Sequence, residues 1–259
     1  MKKVKISVLV FILTLTFIKP SIALAHIPPF YCQKAGNYEG GYWGEGVPDD
    51  KKQEISKTGC AISCCAMVLY PSKAYIYDER VNKSQYSSAD PYVVYRANGD
   101  STYANWDIIR KKFGWNKYYH VSFTSYDASK KAIELDKYLD AGKHPIGRIP
   151  GHFVTFVSSE IIGPVSIDKD IKINEHVIIN KDPKTVTKDE IVPLTDEELK
   201  EFFGDTLPVK NSFLTKNTMY DWSFKIHDPG TKYGKNIYFA DNIKGATLDD
   251  LDRITIFEE

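Results

Sequence analysis

Three cysteines crowd into the stretch KTGCAISCCAMVL, Lys57–Leu69, at positions 60, 64 and 65, and a fourth stands at Cys32. Thiols in such a cluster have three chemistries open to them: disulfide, metal ligand or nucleophile. The thiolate is the reactive form, and a helix N-terminus favours it. Cys60 follows Gly59 where a helix should begin, which makes it the candidate nucleophile. Four cysteines in an exported chain also suit two disulfides. Geometry weakens that alternative. Cys64 and Cys65 are adjacent, and Cys60 and Cys64 lie one helical turn apart, so neither pair bridges easily. At most, Cys32 reaches one of the other three. Zinc is disfavoured, because C-x3-C-C without C-x2-C or a nearby His lacks a ligand spacing.

A nucleophilic thiol needs a base and a group that orients the base. Beyond residue 25 the histidines are His26, His120, His144, His152, His176 and His227. His152 opens the apolar run GHFVTFV just after Pro150-Gly151, which puts a polar ring at a sheet end beside the core. A surface turn histidine is the plainer alternative. In FKIHDPG, Asp228 precedes Pro229-Gly230 and is a fixed carboxylate able to orient an imidazole. A turn-forming Asp is again the plainer reading. Gln33 carries a side-chain amide that can donate to an oxyanion, a role that rests on its position relative to Cys60.

The elements that must position these groups follow from period and punctuation. Residues 26–58 read as turn-rich, with one short strand. The helix from Gly59 to before Pro71 is small and apolar on every side over Ala61–Leu69, as a buried helix is. ANWDIIRKKFG puts Trp106, Ile109 and Phe113 on one face, with Gly114 as the stop. DASKKAIELDKYLDAG starts at an Asp127 cap and aligns Ala128, Ala132, Leu135 and Leu139. The period then changes. Residues 145–149 and 152–159 read as paired strands, with further strands at 171–174, 176–180, 222–228 and 253–257. Thr195 and Glu198 form a capping box for a short helix over 195–204. Helices first and strands afterwards make an α+β chain rather than an alternating parallel one.

The chain opens with Lys2, Lys3 and Lys5, then an uncharged, mostly apolar run, Ile6–Ile18, then Ala23-Leu24-Ala25. This reads as a secretory signal peptide, residues 1–25, cut after Ala25, with a secreted or periplasmic product. The run is short for a spanning helix, which needs about 20 apolar residues, and no later segment is long enough, so no transmembrane anchor is expected after cleavage. Overall charge is +0, and losing the leader lysines makes it about minus four. No basic stripe supports nucleic-acid binding. The 17 Tyr and 13 Phe argue for an ordered core.

Taken in order, these pieces resemble the papain-like bacterial peptidases of cysteine peptidase family thirty-nine and their secreted relatives. The pattern is a Gln (Gln33), an aromatic pair with Trp (Tyr42-Trp43), and Gly59-Cys60 heading a buried helix that ends Ala66-Met67-Val68-Leu69. A helix with Trp follows in STYANWDIIRKKFGW. LDAGKHPIGRIPGHFV then leads to Gly-His-Phe-Val, and a strand ends in Asp228-Pro229-Gly230. The likeness covers about residues 30–160 and 222–240. It implies a papain-like fold in which the buried Cys helix packs on an antiparallel sheet carrying the His and the Asp. It also implies roles: Cys60 as nucleophile, His152 as base, Asp228 as its orienter, Gln33 as oxyanion donor. The activity implied is amide or peptide cleavage by a secreted cysteine peptidase acting on a peptide or protein, with no cofactor. A catalytically silent papain-like binding module is the alternative.

The chain departs from the family pattern in three ways. Ala61-Ile62 replaces the usual Gly-Pro after the cysteine. The gap from His152 to Asp228 is long, so residues of about 163–221 read as an insertion within one domain, 26–259. That insertion contains a rival orienter, Asp182, in VIINKDP. Third, the family's leader-processing members are fused to transporters, whereas here a signal peptide precedes the domain, so bacteriocin leader cleavage is not implied. If Gln33 faces Cys60, alternation along an extended segment turns Cys32 away, where it would bridge Cys64 or Cys65.

Overall fold

The computed structural model describes residues 27–34, 43–70, 72–162 and 219–259, with short strand segments at 172–173, 176–177, 191–193 and 212–215 between the last two. Along the chain these form α1 (Asp49–Thr58), α2 (Cys60–Leu69), β1 (Lys73–Asp78), β2 (Lys83–Ser88), α3 (Pro91–Ala97), α4 (Trp106–Lys112), β3 (Lys117–Ser122), α5 (Ala128–Asp140), β4 (Ile146–Ile149), β5 (His152–Ile162), β6 (Lys172–Ile173), β7 (His176–Val177), β8 (Ile191–Pro193), β9 (Ser212–Thr215), β10 (Met219–His227), β11 (Ile237–Tyr238) and β12 (Arg253–Glu258). The main sheet has the order β3-β12-β4-β5-β10-β9-β8, with β11 also on β10. Its pairings are all antiparallel. The chain is therefore mixed α+β.

Local chemistry starts most helices. The Asp127 carboxylate accepts from Lys130 N–H at 2.7 Å and caps α5. Asn105 caps α4 through Ile108 N–H at 3.2 Å. Asp90 caps α3 through Val93 N–H at 2.9 Å, with Pro91 in the first turn. These bonds satisfy N–H groups that the helix itself leaves unpaired. Helix α2 has no side-chain cap. A ten-residue helix is marginal alone; burial holds this one. Ile62, Met67 and Leu69 are fully buried, each worth about 2 kcal/mol.

The sheet separates two cores. On one side α2 packs across β4 and β5, with α3 on its far side; this core includes Cys64, Cys65, Met67, Tyr92, Tyr95 and Phe257. On the other side α5 packs Leu135 into a core with Val154, Phe156, Phe224, Ile254 and Ile256. The period-2 geometry of a strand sorts the residues of β12: Ile254 and Ile256 face α5, while Phe257 faces α2.

Several sequence expectations need correction. Residues 26–58 hold helix α1, not only turns and a short strand. Only Ile55 of α1 is buried, so it lacks a hydrophobic period. Asp49 and Asp50 in its first turn and Lys57 in its last favour the helix dipole instead. The β1–β2 hairpin and α3 were not expected, and with β3 they interrupt the order of helices first. The segments β8 and β9 extend the main sheet, whereas β6 and β7 pair only with each other. The leader, Asp182 and the expected helix 195–204 lie outside the described residues. No helix among the described residues is long and apolar enough to cross a membrane.

Candidate active site

Antiparallel register assembles the site. Thr155 of β5 lies opposite His227 of β10, so the start of β5 and the residue after β10 meet at one end of the sheet. His152 Nε2 is 2.7 Å from Asp228 Oδ1, across 76 positions of sequence. Helix α2 lies over β4 and β5 and brings its first residue, Cys60, to the cleft that His152 also lines. With Nε2 committed to Asp228, Nδ1 is the nitrogen that serves the sulfur. Cys60 is half-buried and lines an open cleft.

Asp228 is fully buried and fully used. Oδ1 also accepts from Gly230 N–H at 2.8 Å, and Oδ2 accepts from Ile243 N–H at 2.8 Å. Burial would push this carboxyl up, but the bonds from His152, Ile243 and Gly230 outweigh it and hold it below the ordinary carboxylate value. Burial likewise opposes charge on His152. The Asp228 carboxylate and the Cys60 sulfur win, and the imidazole is pushed up to about 9. His152 is only 6% exposed, so the pair is poorly screened.

Gln33 is held by two anchors. Its backbone N–H donates to Pro229 O at 2.8 Å, next to Asp228, and its Nε2 donates to Ser56 O at 2.8 Å. Gln33 lines the cleft that it shares with Cys60 and His152, about 390 Å³ in volume, and its buried Oε1 has no hydrogen-bond partner among the described residues. A second cleft of about 330 Å³ opens on the other side of Cys60, bordered by Tyr103, Trp106, Phe153 and Arg253.

The remaining candidates separate from this group. His227, next to Asp228, faces Pro28: its Nε2 donates to Pro28 O at 3.0 Å and its Nδ1 accepts from Asn236 N–H at 2.9 Å. Burial pushes its pKa down, so it stays neutral and fastens the segment that leads to Gln33. His120 bonds Thr255 Oγ1 at 2.9 Å. It is Asp228 that lies against His152; the rival Asp182 is outside the described residues.

The expected bridge from Cys32 to Cys64 or Cys65 is absent. All four cysteines are thiols. Cys64 and Cys65 are wholly enclosed in the α2 core, where burial pushes both thiols well up and keeps them protonated. The aromatic neighbour of Cys32 is Trp43, whose Nε1 donates to Cys32 O at 2.6 Å. The backbone of that segment is thus tied to the core without a covalent link.

Sequence reading missed the loop behind Asp228. Asn242 Nδ2 donates to Phe239 O and Ala246 O at 2.5 and 2.7 Å, and its Oδ1 accepts from Lys244 and Ala246 N–H at 3.0 Å each. That presents Ile243 N–H to Asp228. The Asn-x-x-Gly string ADNIKG is a turn signal that could have revealed it. Arg253 had no such signal, because its place beside Cys60 depends on strand order. Among the described residues no group of three His, Cys, Asp or Glu is placed to hold a metal ion. No protein-family model, curated protein or solved structure matches the chain.

Proposed function

We propose that the protein is a papain-like cysteine peptidase or amidase, exported from the cytoplasm, that cleaves an amide bond in a peptide or protein. The observation that carries this reading is the buried Asp228–His152 bond aimed at a half-exposed Cys60 at the head of a buried helix. An orienting carboxylate, a base and a sulfur in series have a clear chemical use. A solely structural site would not leave the sulfur open to a cleft. The family resemblance in the sequence supports the same roles.

The steps follow from the groups present. The Cys60 sulfur, with the His152 imidazole beside it to hold the proton, is the nucleophile. The sulfur attacks the carbonyl carbon, forming a C–S bond, and the carbonyl oxygen takes the negative charge. The Gln33 side-chain amide donates to that oxygen through the Nε2 hydrogen not bonded to Ser56 O. His152 then gives its Nδ1 proton to the amide nitrogen, the C–N bond breaks, and the amine leaves a thioester. Water, losing a proton to His152, attacks the thioester; the acid is released and the thiolate returns. Throughout, Asp228 holds the ring by Nε2 and stabilises its charged form.

The test is chemical labelling. Folded protein treated with iodoacetamide near neutral pH should be alkylated first at Cys60, and His152→Ala should slow this. In a peptide-hydrolysis assay Gln33→Ala should lower kcat by about 10²-fold or more. A Cys60 that resists alkylation in the folded protein, or labels at the same rate without His152, would sink the proposal.

A further inference from the structure

The two clefts flanking Cys60 differ in charge from the rest of the molecule. The chain has 34 basic and 34 acidic residues. Yet the described lining of these clefts contains Lys34, Lys57 and Lys244 on one side and Arg253 on the other, with no carboxylate. Asp228 stands behind His152, fully buried.

Arg253 is the most constrained of these cations. It opens β12 and lies directly opposite Arg148 of β4. Like charges in register across a sheet are unfavourable. The nearby carboxylate goes to only one of them: Asp252 Oδ2 meets Arg148 Nε at 3.3 Å. Arg253 Nε is buried and has no hydrogen-bond partner among the described residues. A buried guanidinium donor without an acceptor is costly. Its neighbour His120 stays neutral, since burial and Arg253 itself push that imidazole down. The same cleft is lined by Trp106 and Phe153, with ring centroids 6.0 Å apart, and by the largely exposed Tyr103. A planar cation in a cleft lined by aromatic rings is suited to a carboxylate on a short apolar stem.

The catalytic groups say which part of a substrate goes there. The leaving nitrogen must reach His152 and the oxyanion must reach Gln33, and both residues line the lysine-bearing cleft. The acyl chain is left to the Arg253 cleft. We infer that the protein acts on acidic peptide segments, with Arg253 binding a carboxylate side chain on the acyl side of the scissile bond. Lys57 and Lys244 face the amine side, where further acidic residues fit. The assignment of sides rests on the peptidase reading; the preference for anions does not.

Two arms separate the two ideas. In the first, positional libraries of acyl-peptide aminocoumarins are hydrolysed by the wild type, Arg253→Gln, Arg253→Lys and Arg253→Glu. Glu or Asp should exceed Gln or Asn by about tenfold in kcat/KM at one acyl-side position. Arg253→Gln should abolish that preference, Arg253→Lys should retain part of it, and Arg253→Glu should turn it toward Lys or Arg. In the second arm, Cys60→Ala protein is titrated with a fluorescein-labelled peptide of alternating Glu and Gly, and with its Gln counterpart. The Glu peptide should bind about tenfold tighter, and Arg253→Gln in that background should remove the difference. No turnover with intact Arg253-dependent binding would defeat the peptidase reading and leave the acidic-ligand inference standing. Turnover or binding that does not distinguish Glu from Gln, or that does so equally in Arg253→Gln, would overturn the inference.

Discussion

Replacing Asp228 by Asn tests whether one buried carboxylate sets the charge of the site. In the wild type the His152 ring is lifted from the ordinary 6.5 to about 9. That difference corresponds to about 3 kcal/mol of preference for the charged ring. Burial works the other way, so the Asp228 bond and the Cys60 sulfur must together exceed this amount. With a neutral amide at 228 the burial cost remains and the strongest compensation is lost. The His152 pKa should fall by about two pH units or more. The readout is the His152 ring proton followed by NMR from pH 5 to 11, with the resonance assigned by its loss in His152→Ala. Stability must obey the same linkage. Because the folded value lies above the unfolded one, the contribution of His152 is complete below about 6.5 and is lost as pH rises through about 9. Urea denaturation of the wild type should therefore weaken by about 3 kcal/mol across that window, and the variant should lose this dependence. A fixed cost accompanies the substitution. The Asn amide would point its N–H2 at Ile243 N–H or Gly230 N–H, leaving donors opposed, for about 1–3 kcal/mol; this is measured at pH 6 and subtracted. A wild-type His152 that titrates near 6.5, or a folded Asp228→Asn protein in which it still titrates near 9, would refute the reasoning.

Gly59→Ala should be severely destabilising, by about 3 kcal/mol in thermal or chemical unfolding, because an added Cβ would lie 2.4 Å from Ile55 O and 2.6 Å from Ile55 Cγ2 at the α1–α2 junction. Asn242→Ala removes the clamp on the loop that presents Ile243 N–H. It should lower peptide hydrolysis at least tenfold and leave several buried backbone groups unpaired, a cost of about 2 kcal/mol in urea titration. Mass mapping of the non-reduced protein should find no disulfide, and thiol titration should report one fast thiol, Cys60, when folded and four when unfolded. A Cys32–Cys64 or Cys32–Cys65 bridge would contradict the core packing described above.

Much of the site could be read in the sequence because its residues sit at punctuated positions. Gly59-Cys60 marks a helix start, Pro150-Gly151 marks the turn before His152, and Asp228-Pro229-Gly230 marks the end of a strand. Local chemistry writes those signals. What escaped was decided at long range. Helix α1 is polar over nearly its whole length and has no apolar stripe to betray it. Arg253 reaches the cleft only because β12 inserts between β3 and β4, a strand order that no local pattern encodes. The supposed bridge at Cys32 failed for a related reason. Counting thiols in a chain expected to be exported favours pairing, but burial lets Cys64 and Cys65 act as small apolar side chains, and no covalent tie is needed where Trp43 and Pro229 already hold the neighbouring backbone.

The turn at 228–230 shows how few contacts need to be specified for the rest to follow. Asp228 orients His152, Gly230 N–H fixes the carboxylate, and Pro229 O receives Gln33 N–H. The proposed base and oxyanion donor, His152 and Gln33, are therefore referenced to the same three residues, although they are far apart in the sequence. Gly230 has to be small for this: a Cβ there would stand 3.1 Å from both Asp228 Oδ1 and His152 Cε1. The Asn242 loop closes over the other carboxylate oxygen. These bonds couple His152 and Gln33 to one turn, so a displacement of the turn would shift both together relative to Cys60, which is anchored separately by α2. On the proposed peptidase reading, the relative position of helix and turn is thus the geometric quantity on which activity would depend, and the α2–β5 packing that fixes it, built from Ile62, Cys64, Thr155 and their neighbours, would belong to the site as much as the polar groups it carries.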